Sequence, residues 1–242
     1  MTTHIFECWM LDGHLIANIN RRAVVIDTGS EFSYWRHLDN GHESLQLQGE
    51  PMPYDLADAL ERNVAPRLFG LMGMDNMRQF DVTISFSERT MSLHRESFFM
   101  PGAWSVPVEI SHGSIPVIRR VGINGQARDV KFDLGARFSY LEFTGIEDLP
   151  GYGFAWGFLP PGRHPERFTV RLHSVNCRLA SREFPLVAGN CGDVDGPNGI
   201  NLIGSEVLKY FDVNISMRRQ AIEFRANGLK SWPVVPDFEE FD

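Results

Sequence analysis

The chain contains an internal repeat, and this repeat limits the folds that it can adopt. Residues 24–35 read VVIDTGSEFSYW, and residues 130–141, at an offset of 106, read VKFDLGARFSYL. Six of the twelve positions are identical, among them Asp27 and Asp133. A matching stretch in each half indicates that one structural unit occurs twice.

A second pair of matching stretches follows in the same order. Residues 71–73 and 80–85 read LMG and FDVTIS, and residues 202–204 and 211–216 read LIG and FDVNIS. Here the offset is 131 residues, so the middle section of the second half is 25 residues longer than that of the first. Two ordered, ungapped matches predict a tandem duplication over nearly the whole chain.

The duplication predicts two similar lobes. A chain of 242 residues is long enough to bury a full core without disulfides or a structural metal. The stretch 99–105, FMPGAWS, holds the Pro and Gly that break regular elements. We therefore predict a first lobe over residues 1–98, a linker over 99–105 and a second lobe over 106–242.

Short runs of β-branched and aromatic residues, closed by turn residues, predict a mainly β protein with few short helices. A longer helix is expected over residues 54–63, with Asp55 as its cap, and short helical turns are expected after Gly73 and Gly204. Asp81 and Asp212 also repeat, and we expect them to be cap or turn residues. The predicted hairpins pair residues 15–20 with 23–26, 82–86 with 91–93, 117–123 with 127–132, and 213–216 with 221–224.

Charge and composition argue against several classes of partner. The net charge of −8 disfavours nucleic-acid binding, which needs a clustered basic surface. The sequence shows no apolar run near the roughly 20 residues of a membrane span, and its start does not resemble a secretory signal. Cys8, Cys177 and Cys191 are an odd number without metal-ligand spacing, so we expect a reducing, cytoplasmic location.

The repeated loops carry the predicted chemistry. Each half places one aspartate, Asp27 or Asp133, at the end of an apolar strand, with a glycine two residues later. A pseudo-two-fold axis between the lobes would bring the two carboxyls face to face, where they share a proton. One then acts as a base toward water while the other polarises a carbonyl, without a metal or another cofactor.

The loops resemble those of a known family. Residues 26–30, IDTGS, resemble the active-site loop of retropepsin- and pepsin-like aspartic peptidases, and residues 71–73 and 202–204 resemble the apolar-apolar-Gly motif that threads behind each loop. The resemblance implies the acid-protease fold, with two pseudo-symmetric retropepsin-like β-barrel lobes that bind an extended peptide between them. It also implies that one chain suffices, because both half-sites are present, so we expect a functional monomer.

On this resemblance the catalytic pair is Asp27 and Asp133. The residues expected to support the pair are Thr28, Gly29 and Ser30 in the first loop, Leu134, Gly135 and Ala136 in the second, and Gly73 and Gly204 behind the loops.

The second loop departs from the family pattern. Leu134 stands where the family has Thr or Ser, whose hydroxyl hydrogen-bonds across the two-fold axis. We expect this change to leave Thr28 partly unsatisfied, at a cost of about 1–3 kcal/mol. Ala136 also lacks the hydroxyl that Ser30 could offer to its own aspartate.

The middle sections differ in length, with 40 residues between Ser30 and Leu71 but 65 between Ala136 and Leu202. The short first section predicts that the flap, the hairpin that closes over substrate, comes from the second lobe. The candidate segment is residues 150–158, PGYGFAWGF, in which glycines permit motion and Tyr152 and Trp156 could shield the site. An ordinary surface loop with half-buried aromatic residues is an equally weighted alternative.

Three hypotheses for the function follow. The first is an aspartic endopeptidase acting on a peptide or protein substrate. The second, motivated by Leu134 and the short first middle section, is a catalytically weakened pseudo-peptidase that binds extended peptides in the interlobe cleft. The third is a structural module whose cleft is blocked by Trp35 or by the aromatic segment.

Overall fold

A computed structural model shows a mainly β protein with two short α-helices and two 3-10 helices among the residues described. Cys191 lies outside the described residues. The described residues are 2–36, 45, 47–111, 114–142, 145–158, 167–189 and 201–229.

The first half contains eight strands among the described residues. These are β1 Thr3–Leu11, β2 His14–Ile19, β3 Arg22–Ile26, β4 Tyr34–Trp35, β5 Glu50–Pro51, β6 Gly70–Met72, β7 Asp81–Ser85 and β8 Thr90–His94, with helices α1 Tyr54–Asn63 and α2 Met74–Met77.

The second half continues with ten more strands among the described residues. These are β9 Trp104–Ile110, β10 Pro116–Ile123, β11 Gln126–Phe132, β12 Ser139–Tyr140, β13 Gly151–Phe158, β14 Arg167–Leu179, β15 Arg182–Gly189, β16 Leu202–Ile203, β17 Phe211–Ser216 and β18 Ala221–Ala226, with 3-10 helices Ile146–Asp148 and Ser205–Lys209.

The four predicted hairpins are confirmed as β2–β3, β7–β8, β10–β11 and β17–β18. The turns of β2–β3 and β10–β11 have positive φ at both residues, Asn20 with Arg21 and Asn124 with Gly125. Such turns match the right-handed twist of the strands that they join. The Asn-Gly pair correctly predicted the turn of β10–β11, whereas the turn of β2–β3 lies one residue earlier than the predicted strand ends implied, because Arg22 belongs to β3.

Helix α1 is confirmed over its predicted range, but the role expected of Asp55 is wrong. The cap position is Pro53, and Asp55 lies in the first turn, where it accepts a hydrogen bond from the adjacent Leu56 amide at 3.0 Å. A proline just before the first helical residue provides an extended backbone that starts the helix without a side-chain cap.

Each lobe places an apolar-apolar-Gly strand beside the strand that ends in the repeated aspartate. Strand β3 runs parallel to β6, with Ile26 opposite Met72. Strand β11 runs parallel to β16 in the same way, with Phe132 opposite Ile203. The two loops that follow β3 and β11 therefore start from equivalent, fully paired strands.

The lobes are joined by a six-stranded antiparallel sheet in the order β1-β8-β7-β17-β18-β9. At its centre β7 of the first lobe pairs with β17 of the second, with Ile84 opposite Val213. Trp104 and Ser105 begin β9 at one edge of this sheet. The division at residues 99–105 stays a prediction.

The expectation that Asp81 and Asp212 are cap or turn residues is wrong. Both lie in the central strands of the interlobe sheet and are almost fully buried. The Ser216 hydroxyl donates to Asp81 at 2.7 Å, and the Phe86 amide donates to Asp212 at 2.8 Å. Each carboxylate thus accepts a hydrogen bond from the opposite lobe, so Asp81 and Asp212 link the two lobes.

The largest apolar cluster contains residues of both lobes, among them Ile26, Phe80, Phe132 and Phe224. Continuous packing of this kind gives the two lobes a common core rather than two separate ones. In the part of the chain that the structure describes, no helix combines the length and the apolarity needed to cross a membrane.

Candidate active site

The two aspartates occupy equivalent backbone positions. The Asp27 amide donates to the Met72 carbonyl at 3.0 Å, and the Asp133 amide donates to the Ile203 carbonyl at 2.9 Å. Each aspartate is thus anchored to the apolar strand behind it. This anchoring fixes the point at which each loop leaves its strand.

The structure brings the two carboxyl groups together between the loops. A Cβ atom on Gly29 would overlap the Asp133 carboxyl, and a Cβ on Gly135 would overlap the Asp27 carboxyl. The two carboxyls are close enough for each to change the pKa of the other. Each carboxyl therefore lies directly on the glycine of the opposite loop, a position that no residue with a side chain could occupy.

Backbone amides hold the carboxyls in place. The Gly29 amide donates to Asp27 Oδ1 at 2.8 Å, and the Gly135 amide donates to Asp133 Oδ1 at 2.9 Å. The Ala136 amide also donates to Asp133 Oδ1, at 3.2 Å. Hydrogen bonds from amides stabilise an ionised carboxylate.

The environment raises the pKa of both aspartates. Burial is the largest cause, and for Asp27 the negative charge of Asp133 adds to it, so that the pKa of Asp27 lies well above its ordinary value. For Asp133 the rise in pKa is opposed by hydrogen bonds from Asp27, Gly135 and Ala136. Two acids with raised pKa values in contact retain a proton between them.

Thr28 is not left unsatisfied, so that expectation is wrong. Its hydroxyl donates to the Phe132 carbonyl at 2.7 Å and accepts from the Leu134 amide at 2.8 Å. Both partners are backbone groups of the opposite loop, so they do not depend on which side chain stands at position 134. Thr28 thus supplies a hydroxyl link between the two loops.

The other departures from the family pattern have different consequences. The Leu134 side chain is fully buried in the shared core, where it packs instead of hydrogen-bonding. The Ser30 hydroxyl donates to the Phe32 carbonyl at 2.8 Å, so the expected contact with its own aspartate is wrong. The absence of a hydroxyl from Ala136 therefore costs Asp133 no hydrogen bond that Ser30 gives to Asp27.

Gly73 and Gly204 lie behind the two loops. A Cβ on Gly73 would overlap the Phe32 carbonyl, and one on Gly204 would overlap the Phe138 carbonyl. Their amides donate to two serines that are identical in the repeats: Gly73 to Ser33 Oγ at 2.9 Å, and Gly204 to Ser139 Oγ at 3.1 Å. Sequence analysis did not single out these serines as site residues, although their identity in both repeats was a usable signal.

The predicted flap segment is a β-strand. Strand β13 pairs antiparallel with β14, and Tyr152, Phe154 and Trp156 project from its exposed face. The other face of this hairpin packs against Tyr140 and Leu202, close in sequence to the second loop and its backing strand. Closure of the hairpin over the aspartates stays a prediction.

Trp35 cannot block the site in the way that the third hypothesis requires. It is 5% exposed, belongs to the shared core, and donates its indole N–H to the Gln48 carbonyl at 2.9 Å. Its side chain is therefore committed to the interior of the first lobe.

His14 is a neighbour of the site that sequence analysis missed. Its Nδ1 atom lies 2.9 Å from the Gly135 carbonyl oxygen, and the side chain is buried. Histidine and glycine are 121 residues apart in the sequence, and no local pattern indicates the contact.

Within the described ranges, no three His, Cys, Asp or Glu side chains gather as a metal site would require. The expectation that the chemistry uses no cofactor stays a prediction.

Comparison with known proteins identifies the fold but not a sequence family. No protein-family model matches the chain, and neither does the sequence of any curated protein. Among solved structures, basic 7S globulin from soybean is 10% identical and has a TM-score of 0.54, over 94% of this chain and 96% of that one. Conglutin gamma, a basic 7S globulin from lupine seeds, is 10% identical with a TM-score of 0.55, over 93% and 95%.

The third similar structure is an aspartic proteinase from Irpex lacteus. It is 8% identical and has a TM-score of 0.54, over 95% of this chain and 99% of that one. At such identities the similarity concerns the fold alone. The chain therefore has a mainly β, acid-protease-like fold, which it shares along almost its full length with an aspartic proteinase and with two seed globulins.

Proposed function

We propose that the protein is an aspartic endopeptidase that hydrolyses peptide bonds with a water molecule activated between Asp27 and Asp133. The observation that carries this proposal is the contact of two carboxyls, one from each lobe, each seated on the glycine of the opposite loop. Both have raised pKa values, and each carboxyl influences the pKa of the other. A pair that shares one proton offers an acid and a base at the same pH.

The hydrogen bonds favour one assignment of the two roles. Loop amides lower the pKa of both aspartates, whereas the hydrogen-bonding interaction between the two carboxyls raises the pKa of Asp27 and lowers that of Asp133, which favours the ionised form of Asp133. Asp133 would take a proton from water while the water oxygen attacks the peptide carbonyl carbon and Asp27 gives its proton to the carbonyl oxygen. In the second step Asp133 gives the proton that it took from water to the amide nitrogen, and Asp27 takes a proton from a hydroxyl of the tetrahedral intermediate as the C–N bond breaks. The products are an amine and a carboxylic acid, and the carboxyl pair again holds one proton, on Asp27.

The substrate class follows from the two-lobed arrangement. An extended peptide lying across both loops would present one scissile bond to the pair, so we propose peptides or proteins as substrates. One chain supplies both aspartates, which supports a catalytically active monomer. The cytoplasmic location stays a prediction.

Cleavage of a peptide library, read by mass spectrometry from pH 3 to pH 7, tests the proposal. The wild type should cut, pepstatin should inhibit it, and Asp27→Asn and Asp133→Asn should each lower kcat by about a thousandfold or more. Asp58→Asn is the matched control, because its only described ion pair is an exposed one with Arg62. Absence of cleavage by folded wild type, or equal cleavage by the Asn variants, would refute an endopeptidase.

A peptide-binding pseudo-peptidase is the second candidate. The observation that favours it is the second loop itself, where Leu134 and Ala136 lack hydroxyls, so that the hydroxyl link between the loops comes from Thr28 of the first loop. Two of the three similar structures carry the names of globulins rather than of a proteinase, which is compatible with this candidate. It predicts saturable binding of library peptides that are recovered intact, with affinity unchanged in Asp27→Asn.

A further inference from the structure

A turn of the first lobe reaches across to the second catalytic loop. This turn, residues 12–14 between β1 and β2, makes three contacts with the second lobe. Asp12 pairs with Arg137 at 2.9 Å, the Gly13 carbonyl accepts from the Ser205 hydroxyl at 2.5 Å, and His14 contacts Gly135 at 2.9 Å. Arg137 directly follows the loop that carries Asp133, Ser205 directly follows Gly204 behind that loop, and Gly135 lies within the loop.

The His14 contact has a defined direction. A carbonyl oxygen only accepts, so Nδ1 of His14 must carry a hydrogen and donate it to the Gly135 carbonyl. His14 is 4% exposed, and burial lowers its pKa to about 4. The Gly135 hydrogen bond and the charge of Asp12 oppose this fall in pKa, and the charge of Arg137 adds to it. The ring is therefore neutral through most of the mildly acidic range, with the Nδ1–H form selected by this bond.

The bond continues through one peptide unit to the reacting carboxylate. The Gly135 carbonyl that accepts from His14 and the Ala136 amide that donates to Asp133 Oδ1 at 3.2 Å belong to the same peptide group. A donor on the carbonyl end of a peptide polarises its N–H end, so the two hydrogen bonds strengthen each other. Two hydrogen bonds therefore connect His14 to Asp133 through this peptide group. His14 contacts the loop that carries Asp133, so its effect falls on that side of the aspartate pair.

We propose that His14 is a positioning residue for the aspartate pair, which acts through the Gly135–Ala136 peptide to hold Asp133 in its ionised form. The inference rests on the proposed peptidase function for its consequence in catalysis, but the ionisation of the pair can be measured without any substrate. His14 does not touch the reacting atoms. Its effect is to decide which of the two carboxyls keeps the shared proton.

The test replaces His14 and titrates the pair. Carbon-13 NMR of labelled aspartate carboxyls, assigned with Asp27→Asn and Asp133→Asn, follows ionisation from pH 2 to pH 8. His14→Leu should raise the lower apparent pKa of the pair by about half a unit or more, because it removes the hydrogen bond that stabilises ionised Asp133 through the Gly135–Ala136 peptide. His14→Asn, whose side-chain amide can donate from a similar position, should restore most of the wild-type value.

His173 supplies the matched control. It is also fully buried and also bonds a backbone carbonyl, that of Leu149, at 3.2 Å. His173→Leu should leave the lower apparent pKa of the pair unchanged. A shift of equal size in His173→Leu, or no shift in His14→Leu, would overturn the proposal.

Activity gives a second readout. His14→Leu should lower kcat about tenfold at the wild-type optimum, leave KM within about twofold, and move the acidic limb of the kcat/KM profile to higher pH. A fall in kcat without movement of that limb would also count against the proposal. If wild type neither cleaves nor binds peptides, the peptidase proposal fails while the titration still decides the role of His14.

The wild type alone provides a check that needs no folded variant. Nitrogen-15 NMR of the His14 ring at pH 6 should show a neutral imidazole protonated at Nδ1. Protonation at Nε2 instead would remove the donor and overturn the proposal even if His14→Leu fails to fold.

Discussion

The two catalytic loops have nearly the same backbone but different side-chain support. In the first, Thr28 reaches across and bonds two backbone groups of the second. In the second, Leu134 turns its side chain into the core. The comparison shows that the Thr28 hydroxyl finds both of its hydrogen-bond partners across the axis without a matching hydroxyl at position 134, because both partners are backbone atoms.

The same inequality occurs behind the loops. In the first lobe Asp75 accepts from the amide of Ser33 at 3.0 Å and also from its hydroxyl. At the equivalent position of the second lobe, Glu206 is buried with one carboxyl oxygen lacking a hydrogen-bond partner and with its pKa raised to about 7, chiefly by burial. The first lobe is therefore the more completely hydrogen-bonded support, and the second relies more on packing.

The middle sections differ more than the loops do. The first lobe has helix α1 and two-residue strands between its loop and β6, whereas the second has the long strands β13, β14 and β15. The repeated elements are those that hold the two aspartates, and the elements that differ lie outside them. The two halves are thus more alike in the elements that place the carboxyls than in the elements outside them.

The largest expected effect comes from the two glycines that receive the carboxyls. Gly29→Ala and Gly135→Ala should each lower kcat/KM by at least about a hundredfold, because a Cβ would displace the opposing carboxyl. Gly102→Ala is a control with open space around the added methyl, although its positive φ costs some stability. Peptide cleavage and melting temperature measure the effects. If only one of the two variants lost activity, the loops would not be equivalent.

Thr28→Val sharpens the comparison of the loops. Removing the hydroxyl leaves the Leu134 amide and the Phe132 carbonyl without their described side-chain partner, which should lower the free energy of unfolding by about 2–4 kcal/mol. Leu134→Val, which only trims the core, should cost about 1 kcal/mol and keep activity. Urea denaturation measures both, and equal losses would contradict a special role for Thr28.

Asp27→Asn tests how much stability the folded protein loses when the aspartate pair ionises at higher pH. A carboxyl whose pKa is raised in the folded state contributes its stability below its unfolded pKa of 3.8 and loses that contribution as pH rises through the folded value. The variant should therefore be more stable than wild type at pH 7, by about 1–2 kcal/mol, and gain nothing at pH 3.

Denaturation at a series of pH values measures this difference. Asp133→Asn should show a smaller gain at pH 7, because hydrogen bonds partly oppose the rise in its pKa. Curves for both variants that run parallel to wild type at every pH would contradict the raised values.

The smallest effect concerns the exposed aromatic face of β13. Trp156 is 64% exposed, so Trp156→Ala should change stability by no more than about 0.5 kcal/mol. If the hairpin closes over bound peptide, KM should rise several-fold. Tyr54→Ala, an exposed aromatic on α1 of the first lobe, should leave KM unchanged. Equal KM values in the two variants would argue against a flap in the second lobe.

Much of the fold could be predicted from local sequence. The hairpins, helix α1 and the repeated Asp-x-Gly loops depend on turn residues and apolar periodicity within about ten residues. The duplication then related the two aspartates to each other, which is a long-range statement obtained without a structure. Sequence alone therefore determined the strand-rich architecture and the two candidate acids.

Only the tertiary structure decided how the two halves support each other. Thr28 finds its partners 104 and 106 residues away, and His14 bonds a glycine 121 residues away. Asp81 and Asp212 are link residues rather than caps because their partners lie in the opposite lobe. These contacts depend on how the docked lobes align, which is set by packing of the shared core and by pairing of β7 with β17, and no local pattern encodes it.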